Sequence, residues 1–183
     1  MKSTKAAGRY AQSLLDLSVE SGELESVKAD MELIRNTIEG SYDLELMLES
    51  PVIKPDAKQA VLNKLFSTRI SKLSLRFVLL ITAKGRESIL GPISQAFLDQ
   101  YRAHKGIVIA RVVSASALTT DAKKALITNL SLSGNTIELI EKIDPSLLGG
   151  LRVKVGDQLI DASIRRKLND LKSDISKNKL SAI

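Results

Sequence analysis

The chain has 183 residues, 44% hydrophobic and 26% charged, the balance of a soluble globular protein able to bury a core as one large domain or two small ones. It contains no cysteine and a single histidine, which excludes disulfides, thiolate nucleophiles and cysteine-ligated metals and leaves metal chemistry little to use. The net charge of +6 is uneven: residues 1–104 hold 14 basic against 13 acidic side chains and residues 105–183 hold 13 against 8, so the second half suits nucleic acid, anionic lipid or an acidic partner.

The opening "MKSTKAAGRYAQSLL" carries two lysines but lacks the continuous apolar core of a signal peptide, so no cleaved targeting segment is expected. Apolar spacing is helical from there to residue 104, and it predicts helices near 4–20, 23–39, 42–49, 56–66, 71–84 and 87–104. Breaks fall at "SGE", "EGS", "SPVIKP", "STRIS" and "KGR", and connections this short favour an antiparallel bundle. On a wheel at ~100° per residue, Ala6, Ala7, Tyr10, Ala11, Leu14, Leu15 and Leu17 of the first helix spread over roughly half the circumference. That is wider than one contact requires. The fifth helix is apolar almost all round, from Leu73 through Leu75, Phe77, Val78, Leu79, Leu80 and Ile81. Either it is the centre of the bundle, or helices one and five leave a groove that a partner's amphipathic helix fills.

After "HKG" at 104–106 the period changes, and a domain boundary belongs there: 1–104 helical, 105–183 α/β. "IVIARVVSA" at 107–115 is β-branched and strand-like, "TTDAKKALITNLS" at 119–131 is helical with Thr119 or Thr120 as its cap, and "NTIELIEKI" at 135–143 alternates as a second strand. Gly149-Gly150 resembles a phosphate loop, but such a loop must open a helix so that free N–H groups face the anion. Here it runs into "LRVKV" at 151–155, a strand with Arg152 and Lys154 on one face, followed by a Gly156-Asp157 turn and a return strand at 158–162. The glycines are therefore expected to shape a backbone corner. A last helix starts after Ser163, its expected N-cap, with Asp161 as a local hydrogen-bond acceptor; no histidine or cysteine completes a catalytic site around Asp157 and Asp161.

Together "IDPSLLGGLRVKVGDQLIDASIRRKLNDL", "AGRYAQSLLDLSVESG" at 7–22 and "LLITAKGRESILGPI" at 79–93 resemble the delta subunit of F-type ATP synthases, related to the mitochondrial oligomycin-sensitivity-conferring subunit. Ala162 departs from the glycine of many members. The resemblance implies a helical bundle plus a small α/β domain, as the periodicity does, and a non-catalytic stator without cofactor, metal or catalytic residues. Its partners would be the alpha and beta subunits of the catalytic head, bound by the bundle, and the b-type stalk subunits, bound by the α/β domain. Contact with the membrane would be indirect, on the cytoplasmic face of a bacterial inner membrane. Residue by residue, it implies a head-binding groove at Tyr10, Ala11, Leu14, Phe77 and Leu80, and family-motif positions Gly85, Arg86, Gly149, Gly150, Gly156, Asp157, Asp161 and Ser163. Stalk contacts are expected at Arg152, Lys154, Arg165 and Arg166. The alternative is a basic nucleic-acid-binding module with a helical partner-binding arm, against which stands the absence of any Phe, Tyr or Trp in residues 105–183.

Overall fold

The computed structural model describes residues 2–130, 136–156 and 158–180, with side chains from 5 to 172. The chain divides into two compact units, Met1–His104 and Lys105–Ile183.

The first unit is a bundle of the six helices that the periodicity predicts: α1 (Lys2–Glu20), α2 (Leu24–Glu39), α3 (Tyr42–Glu49), α4 (Pro55–Phe66), α5 (Lys72–Ala83) and α6 (Leu90–His104). Local chemistry sets their starts. Ser41 and Ser71 accept from the backbone N–H groups of Leu44 and Ser74 as N-caps of α3 and α5, and Pro55 occupies the first position of α4, where its missing N–H costs nothing. The sixth helix starts later than its apolar spacing suggests, behind a 3-10 turn at Glu87–Ile89. Pro92 has no N–H to give the Ser88 carbonyl, so regular α-helical bonding cannot reach back into that turn.

α6 is the spine of this unit: α1 and α2 both pack against it, and α4 packs against α5. Leu90, Ile93, Phe97 and Tyr101 of α6 meet Val27, Met31, Ile34 and Ile38 of α2 and Ala7, Ala11, Leu14 and Leu15 of α1, all buried at helical spacing. Ala7 and Ala11 bring α1 close enough for the Gln100 amide to donate to the Gly8 carbonyl at 3.0 Å. Tyr101 donates to Glu25 at 2.8 Å; burial, then that bond, push its hydroxyl up to about 12.

The second unit runs β1 (Ile107–Ser114), α7 (Thr120–Leu130), β2 (Thr136–Ile143), a 3-10 turn at Pro145–Leu147, β3 (Leu151–Val155), β4 (Gln158–Asp161) and α8 (Ile164–Leu180). One four-stranded sheet has the order β2-β1-β3-β4, with β1 and β2 parallel and the two further pairings antiparallel. Of the α/β elements read in the sequence, Ser131, Asn135 and the turn residue Asp157 lie outside the described residues. Ala110, Val112, Ile137 and Val153 point to one sheet face, where Leu118 and Leu126 and Leu130 of α7 cover them. Thr119 caps α7 by accepting from Ala122 N–H, and Glu141 of β2 fixes the helix by accepting from Leu118 N–H at 2.7 Å and pairing with Lys123 at 2.6 Å. Those contacts, Lys123 first, hold the Glu141 carboxyl below its ordinary range.

Candidate docking surfaces

α1 divides its wide apolar arc in two. Ala7, Ala11, Leu14 and Leu15 are fully inside the bundle, whereas Ala6, Tyr10, Ser13 and Leu17, at spacings of four, three and four, form a second stripe that the bundle leaves open. Leu17 is 50% exposed. The expected groove residues therefore separate: Ala11, Leu14 and Phe77 are covered by the chain's own core, and Tyr10 and Leu80 remain accessible. α5 shows the same division, with Ser74, Phe77, Val78, Ile81 and Thr82 inward and Leu80 half exposed. It is not covered on every side.

The Gly85-Arg86 joint closes α5 with a Schellman motif. Gly85, at φ +64°, donates to the Thr82 carbonyl at 2.9 Å, and Arg86 donates to the Ile81 carbonyl at 3.1 Å. This fixes the backbone of Arg86 so that its guanidinium lies 5.9 Å from the centre of the Tyr10 ring. Ala6, Arg9, Tyr10, Ser13 and Arg86 line a cleft of about 330 Å³ beside the open stripe of α1. Leu80 does not line it. Directly behind Arg86, Glu87 turns inward to Lys58, only 2% exposed, whose ammonium also donates to the carbonyls of Leu48 and Ser50. One buried cation thus ties the end of α3 to the joint between α5 and α6.

In the second unit the glycine pair meets the start of α8. Ala162 N–H donates to Leu151 O and Ile164 N–H to Gly149 O, both at 2.9 Å, so the chain entering β3 lies against the chain leaving β4. A side chain on Gly150 would place its Cβ 2.3 Å from the Ala162 carbonyl oxygen. The pair shapes a corner, as its strand sequel implies. Asp161 locks it: one carboxylate oxygen accepts from Ser163 N–H and the other from the Arg152 guanidinium, each at 3.0 Å, while Ser163 caps α8 through Arg166 N–H. The Ser163 bonds, then Arg152, bring the Asp161 carboxyl down to about 2. Gly156 turns the hairpin between β3 and β4 at φ +56°.

The expected stalk contacts fall into different environments. Arg152 is committed to Asp161, whereas Lys154 is exposed on the sheet face away from α7. Arg165 and Arg166 are exposed on α8, the latter loosely paired with Asp170 at 3.7 Å. The register sets Arg111 beside Lys154, between Ile140 and Leu159, which are 42% and 58% exposed, and Lys142 one row away. Arg111 was missed in the sequence, although the alternation of "IVIARVV" already points it opposite Ala110 and Val112. α8 adds a stripe of Ile164, Leu168 and Leu171, each about half exposed. Among the described residues, no group of His, Asp or Glu is arranged to hold a metal, and no helix is long and apolar enough to cross a membrane.

The sequence model of the ATP synthase delta (OSCP) subunit family matches residues 6–175. The chain is 41% identical over 174 residues to the ATP synthase subunit delta of Caulobacter vibrioides, covering 93% of this chain and 94% of that one. It is 37% identical over 173 residues to that of Cytophaga hutchinsonii, covering 94% and 95%, and 33% identical over 182 residues to that of Syntrophomonas wolfei, covering 99% and 100%. Among solved structures, a chain of the Toxoplasma gondii mitochondrial ATP synthase superposes with a TM-score of 0.69 at 24% identity over 92% of this chain and 96% of that chain, which establishes the likeness of fold.

Proposed function

Because this chain belongs to the ATP synthase delta (OSCP) subunit family, we propose that it is the stator adaptor that joins the catalytic head of an F-type ATP synthase to its peripheral stalk. It has no chemistry of its own to perform. Its work is to resist torque, so that ion flow through the membrane sector turns the rotor against a head that stays still. In this reading the unit of residues 1–104 takes the N-terminal helix of a head alpha subunit along Ala6, Tyr10, Ser13 and Leu17, with Leu80 as a further apolar contact. The unit of residues 105–183 takes the b-type stalk subunits on α8 and on the face carrying Arg111, Lys142 and Lys154. The protein then sits at the cytoplasmic face of a bacterial membrane without entering it.

One observation carries the proposal: each unit, after closing its own core, keeps an apolar helix stripe open, half-exposed Leu17 with partly exposed Tyr10 in the first and half-exposed Ile164, Leu168 and Leu171 in the second. An adaptor needs two such surfaces, because a helix laid into each buries apolar area worth about 25 cal/mol per Å². The test is a pull-down of the C-terminally tagged full chain from detergent-solubilised membranes of its host, with the captured subunits identified by mass spectrometry. Capture of alpha, beta and b-type subunits, with Leu17→Asp losing the head and Leu168→Asp with Leu171→Asp losing the stalk, is expected. Capture of nucleic acid without synthase subunits overturns the proposal.

A further inference from the structure

We infer that the cleft formed by Ala6, Arg9, Tyr10, Ser13 and Arg86 is a carboxylate pocket, which takes an Asp or Glu side chain of the helix that docks along α1. The inference rests on the docking reading above and adds its polar anchor. Two guanidinium groups, those of Arg9 and Arg86, border the cleft, both are exposed, and neither is ion-paired among the described residues. Two acidic groups near them in the chain bond elsewhere. Glu87, next to Arg86 in the chain, points inward to Lys58 at 2.6 Å, and Asp16 of α1 accepts from Gln12 at 2.8 Å on the polar arc.

Arg86 is also held in advance. The Schellman bonds fix its backbone and the Tyr10 ring supports its guanidinium, so little freedom is left to lose when an anion arrives. A planar fork of this kind matches a carboxylate with two parallel hydrogen bonds. The occupant is a carboxylate on a helix rather than a free anion because the cleft is continuous with an apolar stripe: Tyr10 and Ala6 belong to both. A partner helix whose apolar face covers Tyr10 and Leu17 carries its flanking acidic side chain over Arg9 and Arg86.

The test titrates the full-length chain with a synthetic peptide covering the N-terminal helix of the alpha subunit encoded by the same genome. Arg9→Gln with Arg86→Gln is expected to weaken binding about tenfold at ~50 mM salt, and the difference is expected to fade near ~1 M salt, where the screening length is about 3 Å. One Asp→Asn or Glu→Gln change in the peptide is expected to cause the same loss and to add nothing when combined with the double arginine variant. Both arginines are exposed, so the variants should melt with the wild type. If the double arginine variant binds with unchanged affinity and unchanged salt dependence while Leu17→Asp abolishes binding, the pocket is refuted and the docking surface stands. If binding survives all three changes, the docking reading falls with it.

Discussion

Replacing Gly150 by alanine tests whether the glycine pair is there for shape. Gly150 lies at φ +76°, and its absent Cβ would fall 2.3 Å from the Ala162 carbonyl oxygen and 3.1 Å from Ser163 Cα, both backbone atoms that cannot swing away. Gly156, in the same unit at φ +56°, would meet nothing within 4 Å and serves as the control. Left-handed backbone costs a residue with a Cβ about 1–2 kcal/mol at either position. At Gly150 the clash must in addition push the corner apart and break the Ala162–Leu151 and Ile164–Gly149 hydrogen bonds, each worth about 1 kcal/mol. Gly150→Ala should therefore cost about 3–4 kcal/mol and Gly156→Ala about 1–2, a separation of about 2 kcal/mol. In a unit of this size that corresponds to roughly 8–16 °C in melting temperature. Calorimetry gives the melting temperatures, and amide exchange locates the damage: protection at the two donors, Ala162 and Ile164, should fall in Gly150→Ala while residues 5–104 keep theirs. Equal costs for the two variants, or intact protection at Ile164, would refute the steric argument.

Lys58→Met leaves the Glu87 carboxylate buried, with its second oxygen already unpartnered, and should cost about 3–5 kcal/mol in urea unfolding. Adding Glu87→Leu should return most of that loss, and a single-variant cost below about 1 kcal/mol would show that the pair is not what holds the joint. Because the Asp161 carboxyl is lowered to about 2 from an unfolded value near ~3.9, its contribution is present above about pH 4 and lost as pH falls from there to about 2. The Ser163 amide proton should titrate with a midpoint near 2 by NMR, and a midpoint near 4 contradicts the assignment. Tyr101 is raised to about 12 from about 10, so its contribution is complete below pH 10 and disappears between about 10 and 12. Tyr101→Phe should be less stable at neutral pH and flatter through that alkaline window, and parallel curves for the two proteins would count against the Glu25 bond.

Much of this molecule is written in local pattern. Period 3.6 up to residue 104 specifies six helices, and the period-2 runs that alternate with two more helical stretches after it specify the strands of a sheet, because the direction of a side chain on its own element depends only on spacing along that element. The strand that follows Gly149-Gly150 rules out a phosphate loop for the same reason: what comes next in the chain decides which backbone groups are left free. The caps are local too, as Ser163 shows. Tertiary structure decided which apolar residues of α1 are core and which are surface. Ala11 and Leu14 face α6, whereas Tyr10 and Leu17, equally apolar on the wheel, face outward. It also withdrew Arg152 from the exposed cations by pairing it with Asp161, hid Lys58 and Glu87 from a sequence that shows two ordinary surface charges, and stood Arg86 against Tyr10. These partners lie 9 to 76 residues apart in the chain. Spacing tells where a side chain points, and only the packing of distant elements determines what is there to meet it.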